Sequence, residues 1–111
     1  MKTNVRHREG VTILDLKGKI TIGVGDVALR QAIHEALDAG SKDILVNLEN
    51  VSTIDSSGVG ELVSSYTTVT NRGGKLKLVN LPPKVADILQ ITQLITVFDV
   101  YETEDEALEA F

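Results

Sequence analysis

Hydrophobic and polar positions along the chain follow two periods that alternate from end to end. Asn4 to Arg8 and Val11 to Leu16 read as two strands joined through Glu9-Gly10; Val11, Ile13, Leu14 and Leu16 supply a β-branched, partly alternating pattern that predicts an antiparallel hairpin. Gly18-Lys19-Ile20-Thr21-Ile22 continues outward to Gly23-Val24-Gly25, after which Asp26 is placed to cap a helix running to about Ala39. Leu29, Ile33 and Leu37 form the inner face of that helix, and Gly40 ends it. Ile44-Leu45-Val46 with Leu48 is too continuous for a half-solvated strand, so it predicts a central strand buried on both faces. Val59, Leu62, Val63, Tyr66 and Val69 then recur at the spacing of one helical face, closed by Asn71-Arg72-Gly73-Gly74.

The remaining third continues the alternation. Lys75 to Leu81 is the next strand, and Pro82-Pro83 breaks it and pre-sets a short helix in which Val85, Ile88 and Leu89 share a face. A last short strand is expected within Leu94 to Tyr101, around Val97-Phe98-Asp99-Val100. Thr103-Glu104-Asp105-Glu106 is a capping box that opens a terminal helix anchored by Leu108 and Phe111. Strands alternating with helical stretches imply right-handed crossovers. The expected fold is one α/β domain over residues 1–111: a mixed sheet, with an antiparallel hairpin first and mainly parallel strands after it, packed with about four helices.

Composition narrows the function. The chain holds no cysteine, which removes disulfide frameworks and thiolate metal sites and fits a reducing compartment. Its apolar runs are far shorter than the roughly 20 residues a membrane span needs, and Met1 to Arg6 lacks the hydrophobic stretch of a signal peptide, so a cytoplasmic protein without membrane contact is expected. A net charge of −5, scattered Lys and Arg and only four aromatics argue against a nucleic-acid partner. The acid excess is heaviest from Glu102 to Glu109 and reads most simply as a solvated helix face.

Candidate chemistry concentrates in Asn47 to Gly60, where the central strand hands over to the Val59 helix. The first turn of a helix leaves backbone N–H groups without partners, and Asp55, Ser56 and Ser57 are residue types that cap them. One cap needs one such side chain, and three stand in a row. Gly58 and Gly60 follow in the first turns at a cost of roughly 1 kcal/mol each relative to Ala, which predicts a close approach to this backbone.

Asp55-Ser56-Ser57-Gly58-Val59-Gly60 resembles the D-S-[ST]-G-hydrophobic-small signature of anti-sigma factor antagonists, bacterial members of the STAS domain family. Size and element order agree with that family along nearly the whole chain. The resemblance implies that Ser56 is a phosphoacceptor, with Asp55, Ser57, Gly58 and Gly60 shaping its surroundings. It implies a non-enzymatic switch protein that carries no cofactor. Its unphosphorylated form binds an anti-sigma factor, usually a serine kinase, and frees the sigma factor; the kinase phosphorylates Ser56 and ends the interaction, and a metal-dependent serine phosphatase resets it. On the following helix, Glu61, Ser64, Ser65, Thr67, Thr68 and Asn71 are mostly small and uncharged where Lys and Glu are usual; this predicts a docking face carried by Glu61, Ser64, Ser65 and Thr68. One departure bears on which partner is recognised: family regulators commonly place an aspartate soon after the hairpin, and here Thr21-Ile22-Gly23-Val24-Gly25 follows.

Two readings from other classes compete. Gly23-Val24-Gly25-Asp26-Val27-Ala28 matches G-x-G-x-x-A, with Glu49 a little over 20 residues further on, which suggests a nucleotide or small-ligand module; the chain is too short for two mononucleotide-binding halves. A scaffold in which Ser56 is never modified is the other. A serine hydrolase is disfavoured, because Ile54 and Asp55 stand where a nucleophile elbow needs glycine, and His7 and His34 read as surface residues.

Overall fold

The computed structural model describes residues 1–111. Strands β1 (Lys2–Arg8) and β2 (Val11–Ile20) form the expected antiparallel hairpin, with Arg8 opposite Val11. Helix α1 (Gly25–Asp38) leads to β3 (Asp43–Ile54), which lies parallel to β2. Helix α2 (Ser56–Asn71) leads to β4 (Lys75–Val79), and α3 (Pro83–Ile91) with a 3-10 turn at Leu94–Thr96 leads to β5 (Asp99–Tyr101). Helix α4 (Glu104–Glu109) closes the chain. The sheet order is β1-β2-β3-β4-β5, parallel throughout after the hairpin.

The central strand is buried on both faces, as its apolar run requires. Ile44, Val46 and Leu48 join Leu29, Ile33, Leu62, Val69, Val85 and Leu89 in the main core under α1, α2 and α3. Leu45 points the other way, into a smaller core with Val11, Ile13, Val79, Ala107 and Leu108 under α4. Tyr66 and Phe98 meet edge to face, ring centroids 5.7 Å apart, and fill the end of the main core.

Several boundaries differ from the pattern-based expectation. Strand β3 runs on to Ile54 because β2 itself runs on to Ile20, and the two stay paired through Lys17–Asn50, Gly18–Val51, Lys19–Thr53 and Ile20–Ile54 across two register shifts. Strand β4 ends at Val79, two residues early. The last strand starts two residues later than expected, since Leu94–Thr96 winds into the 3-10 turn with Val97 as its cap, and Asp99–Tyr101 pairs with β4. Asp26 lies inside the first turn of α1, whose cap position is Val24, because the Gly25 and Asp26 amides already bond back to the Thr21 carbonyl.

The terminal acids also differ. Thr103 caps α4 as expected, its hydroxyl accepting the Glu106 amide at 3.2 Å, but Glu104 is not a solvated group. Arg6 reaches from β1 to both Asp15 (Nε to Oδ2, 2.6 Å) and Glu104, and Arg8 adds bonds to Glu104 and Asp105. Asn47 supports the same Asp15 carboxylate at 2.9 Å. These bonds fasten a six-residue helix that buries only Ala107 and Leu108. Bonding to Arg6 holds the Asp15 and Glu104 carboxyls below their ordinary values, against the opposing effect of partial burial.

A carboxyl with a depressed folded-state pKa contributes stability above its unfolded value and loses it as pH falls through the folded one. Thermal unfolding of the parent is therefore expected to be level above about pH 5 and to drop steeply below about pH 4. Arg6→Met is expected to lower stability at pH 7 by roughly 1 kcal/mol and to flatten that acid limb. A pH series of calorimetric melts checks both.

Candidate functional site

Because Ile20 and Ile54 pair at the ends of β2 and β3, the chain segments that follow them leave the sheet side by side. Asp55 stands at that exit with extended backbone (φ −108°, ψ −175°) and is the cap residue of α2. Its Oδ1 accepts the Gly58 amide at 2.9 Å, and its Oδ2 accepts the Ile22 amide at 3.0 Å. One carboxylate thus ties the start of α2 to the β2–α1 connection. These amide bonds, Gly58 first and Ile22 second, hold the Asp55 carboxyl below the usual carboxylate range.

Of the three residues suited to capping, then, Asp55 does the work. Ser56 is the first residue of α2 and is exposed; Ser57 is half-buried. The two glycines divide. A methyl group on Gly58 would overlap the Ile20 carbonyl oxygen and lie 2.6 Å from Ile54 Cγ1, so what approaches Gly58 is the domain's own β2. Gly60 is exposed and has nothing within 4 Å of the place a Cβ would take.

The polar side of α2 divides as well. Glu61 is 6% exposed and pairs with Arg30 of α1 (Nε to Oε1, 2.7 Å). Ser65 is 3% exposed, its hydroxyl without a partner in the chain, at a cleft of about 40 Å³ between the two helices. Glu61 and Ser65, expected on a docking face, are covered instead by α1. Thr68 is half-buried at the same cleft, and Ser64 is exposed. What faces outward is a neighbouring stripe at helical spacing, Ser56, Gly60, Ser64, Thr67 and Asn71, every member exposed and none charged.

The β2–α1 connection carries features that the pattern did not reveal. Gly23 adopts φ +92°, a conformation that favours glycine. A methyl on Gly25 would lie 2.6 Å from Ile20 Cα. The Asp26 carboxylate accepts the Gly23 and Val27 amides at 2.9 and 2.8 Å. A fixed negative charge therefore occupies the amides that a G-x-G-x-x-A loop would turn toward a phosphate, and both glycines are accounted for by the local path of the chain. Ile22 and Val24 lie exposed on the same connection. His7 sits on β1, 3.4 Å from the Thr12 hydroxyl, and His34 sits on α1 at the α1–α2 cleft; both are exposed.

The STAS domain family model matches residues 2–107. The anti-sigma F factor antagonist of Paenibacillus polymyxa is 27% identical over 109 residues, covering 97% of this chain and 92% of that protein. The anti-sigma-B factor antagonist of Bacillus subtilis is 29% identical over 100 residues, 90% of each chain. A crystal structure of an anti-sigma factor antagonist from Mycobacterium paratuberculosis is similar at TM-score 0.86 and 27% identity, over 98% of this chain and 92% of that one.

The two glycines separate in a stability measurement. Gly58→Ala is expected to destabilise by about 1–3 kcal/mol, because the new methyl meets backbone that cannot move aside. Gly60→Ala is expected to be neutral or to stabilise by up to about 1 kcal/mol, since at this exposed helical position it only lowers the backbone entropy of the unfolded chain. Urea titrations of the two variants check the pair.

Proposed function

Because the chain belongs to the STAS domain family, we propose that it is an anti-sigma factor antagonist in a bacterial partner-switching pathway, with Ser56 as its phosphoacceptor. The unphosphorylated domain binds an anti-sigma factor that is also a serine kinase, and the sigma factor is released. The kinase then transfers the γ-phosphoryl group of ATP to Ser56 Oγ, the hydroxyl proton is lost and ADP leaves. A metal-dependent serine phosphatase hydrolyses the ester and restores the hydroxyl. ATP and metal belong to those partners, and the chain contributes a substrate hydroxyl and a docking face.

The observation that carries this reading is the position of Ser56: an exposed hydroxyl at the first residue of α2, next to the Asp55 cap and at the head of an uncharged stripe. The names of the relatives support the antagonist role. Phosphorylation adds about −1.5 to −2 charges beside the Asp55 carboxylate. Within the domain the positive end of the α2 dipole favours that charge, so the fold tolerates it. A partner seated over the turn instead meets a bulky dianion, and like-charge contact with desolvation costs several kcal/mol. Binding is lost without refolding. No helix is long and apolar enough to cross a membrane, and a cytoplasmic site of action, where ATP is available to the kinase, completes the reading.

With the purified anti-sigma kinase and ATP, the parent is expected to acquire one phosphate, located by mass spectrometry on Ser56 and not on Ser57. Ser56→Ala is expected to melt like the parent and to stay bound in the presence of ATP. Ser56→Asp is expected to weaken binding at least about tenfold. If both variants bind as the parent does with and without ATP, the switch is not at Ser56.

A further inference from the structure

Ile22 is 73% exposed and Val24 69% exposed, both on the connection that Asp55 holds. Single exposed aliphatic side chains are ordinary on a protein surface and need no explanation. These two are distinguished by how firmly their backbone is fixed. The Ile22 amide is bound by Asp55 at 3.0 Å and the Gly23 amide by Asp26 at 2.9 Å, while the Thr21 carbonyl receives the Gly25 and Asp26 amides at 3.1 and 3.2 Å. The domain thus spends two carboxylates and a reversal at Gly23 on holding two apolar side chains out in water.

The tip is also inseparable from the switch turn. The residue that binds Ile22 immediately precedes Ser56, and the Asp55 amide donates in turn to the Ile20 carbonyl at 3.4 Å. A stable protein interface covers roughly 800 Å² on each partner, a patch roughly 30 Å across. The whole domain measures 31 × 27 × 23 Å, so a partner seated over Ser56 covers Ile22 and Val24 too. The α2 stripe offers that partner hydroxyls and glycine, which give close approach but little apolar area. The aliphatic area at this end of the molecule lies on Ile22, Val24 and the partly exposed Val27. Interface energy concentrates in a few such side chains, and a fixed backbone lowers the entropy lost on docking.

Resting on the reading of Ser56 as the switch, we infer that Ile22 and Val24 are the apolar anchors of the docking face and enter an aliphatic or aromatic-lined socket on the anti-sigma kinase. Ser56 then decides whether the face can close, and the Ile22–Val24 tip decides which kinase it closes on. A partner whose surface is basic or polar opposite this connection is rejected, because it would bury two aliphatic groups against unpaired polar atoms.

Titration calorimetry with the purified anti-sigma kinase of the same organism tests this on the parent, I22S/V24S, the conservative I22V/V24I and S56D. The serine pair is expected to weaken binding at least about tenfold. I22V/V24I is expected to stay within about threefold of the parent, and both pairs to melt as the parent does. If I22S/V24S binds as the parent while S56D is weakened, the anchors are wrong and the Ser56 reading stands. If I22S/V24S is weakened while S56D binds as the parent, the anchors stand and the switch falls. Equal loss in both pairs, or no binding by any of the four proteins, overturns the inference.

Discussion

A single carboxylate, that of Asp55, is the constraint on which the functional end of this domain depends. Its two oxygens accept amides from different segments, Gly58 in the first turn of α2 and Ile22 in the β2–α1 connection. That bifurcation is possible because β2 and β3 end in register at Ile20 and Ile54, and because Gly58 has no side chain to hold α2 away from the Ile20 carbonyl. Sheet register, helix start and connection are therefore one unit. Ser56 is exposed at its centre, and its position is set by the strand pair whose last residues, Ile20 and Ile54, are buried in the main core.

The same logic explains how α2 serves three purposes at once. Val59, Leu62 and Val69 enter the core; Glu61 and Ser65 meet α1, where Arg30 neutralises the buried Glu61 carboxylate; Ser56, Gly60, Ser64 and Thr67 face outward. An outward stripe without long or charged side chains contributes little to a free helix and exposes its backbone to close approach. On such a stripe a phosphate at the first position is by far the largest charge and bulk. The proposed switch needs no moving element for this reason: it alters the surface and leaves the packing alone.

Much of this was legible in the order of residues. The hairpin, the doubly buried strand, the core face of α2, the Pro82-Pro83 break and the Thr103 cap each follow from local chemistry, and the D-S-S-G-V-G stretch marked the strand-to-helix junction. What escaped depended on partners distant in sequence. Glu61 looks like an exposed helix residue until Arg30, 31 positions earlier, is brought against it. Glu104 looks like one acid in a solvated run until Arg6, 98 positions away, reaches it. The second half of β3 was hidden because Asn50, Ser52 and Thr53 are polar residues without a strand pattern of their own, and only pairing with an equally extended β2 makes them strand. Three capping residues in a row did not show which one caps, since that depends on where β3 ends at Ile54 and so on which of the three stands with extended backbone before α2.

The central claim is that a phosphoryl group on Ser56 changes the docking surface and leaves the domain folded as before. Amide chemical shifts of the isotope-labelled protein, recorded before and after complete phosphorylation by its kinase and ATP, test this most directly. The account predicts shifts confined to Ile20 through Asp26 and Asp55 through Gly60, the two segments that Asp55 joins, with the amides of the core strands unmoved. Shifts spread through β3, β4 and the α1–α2 seam would mean that the domain rearranges, and would contradict it.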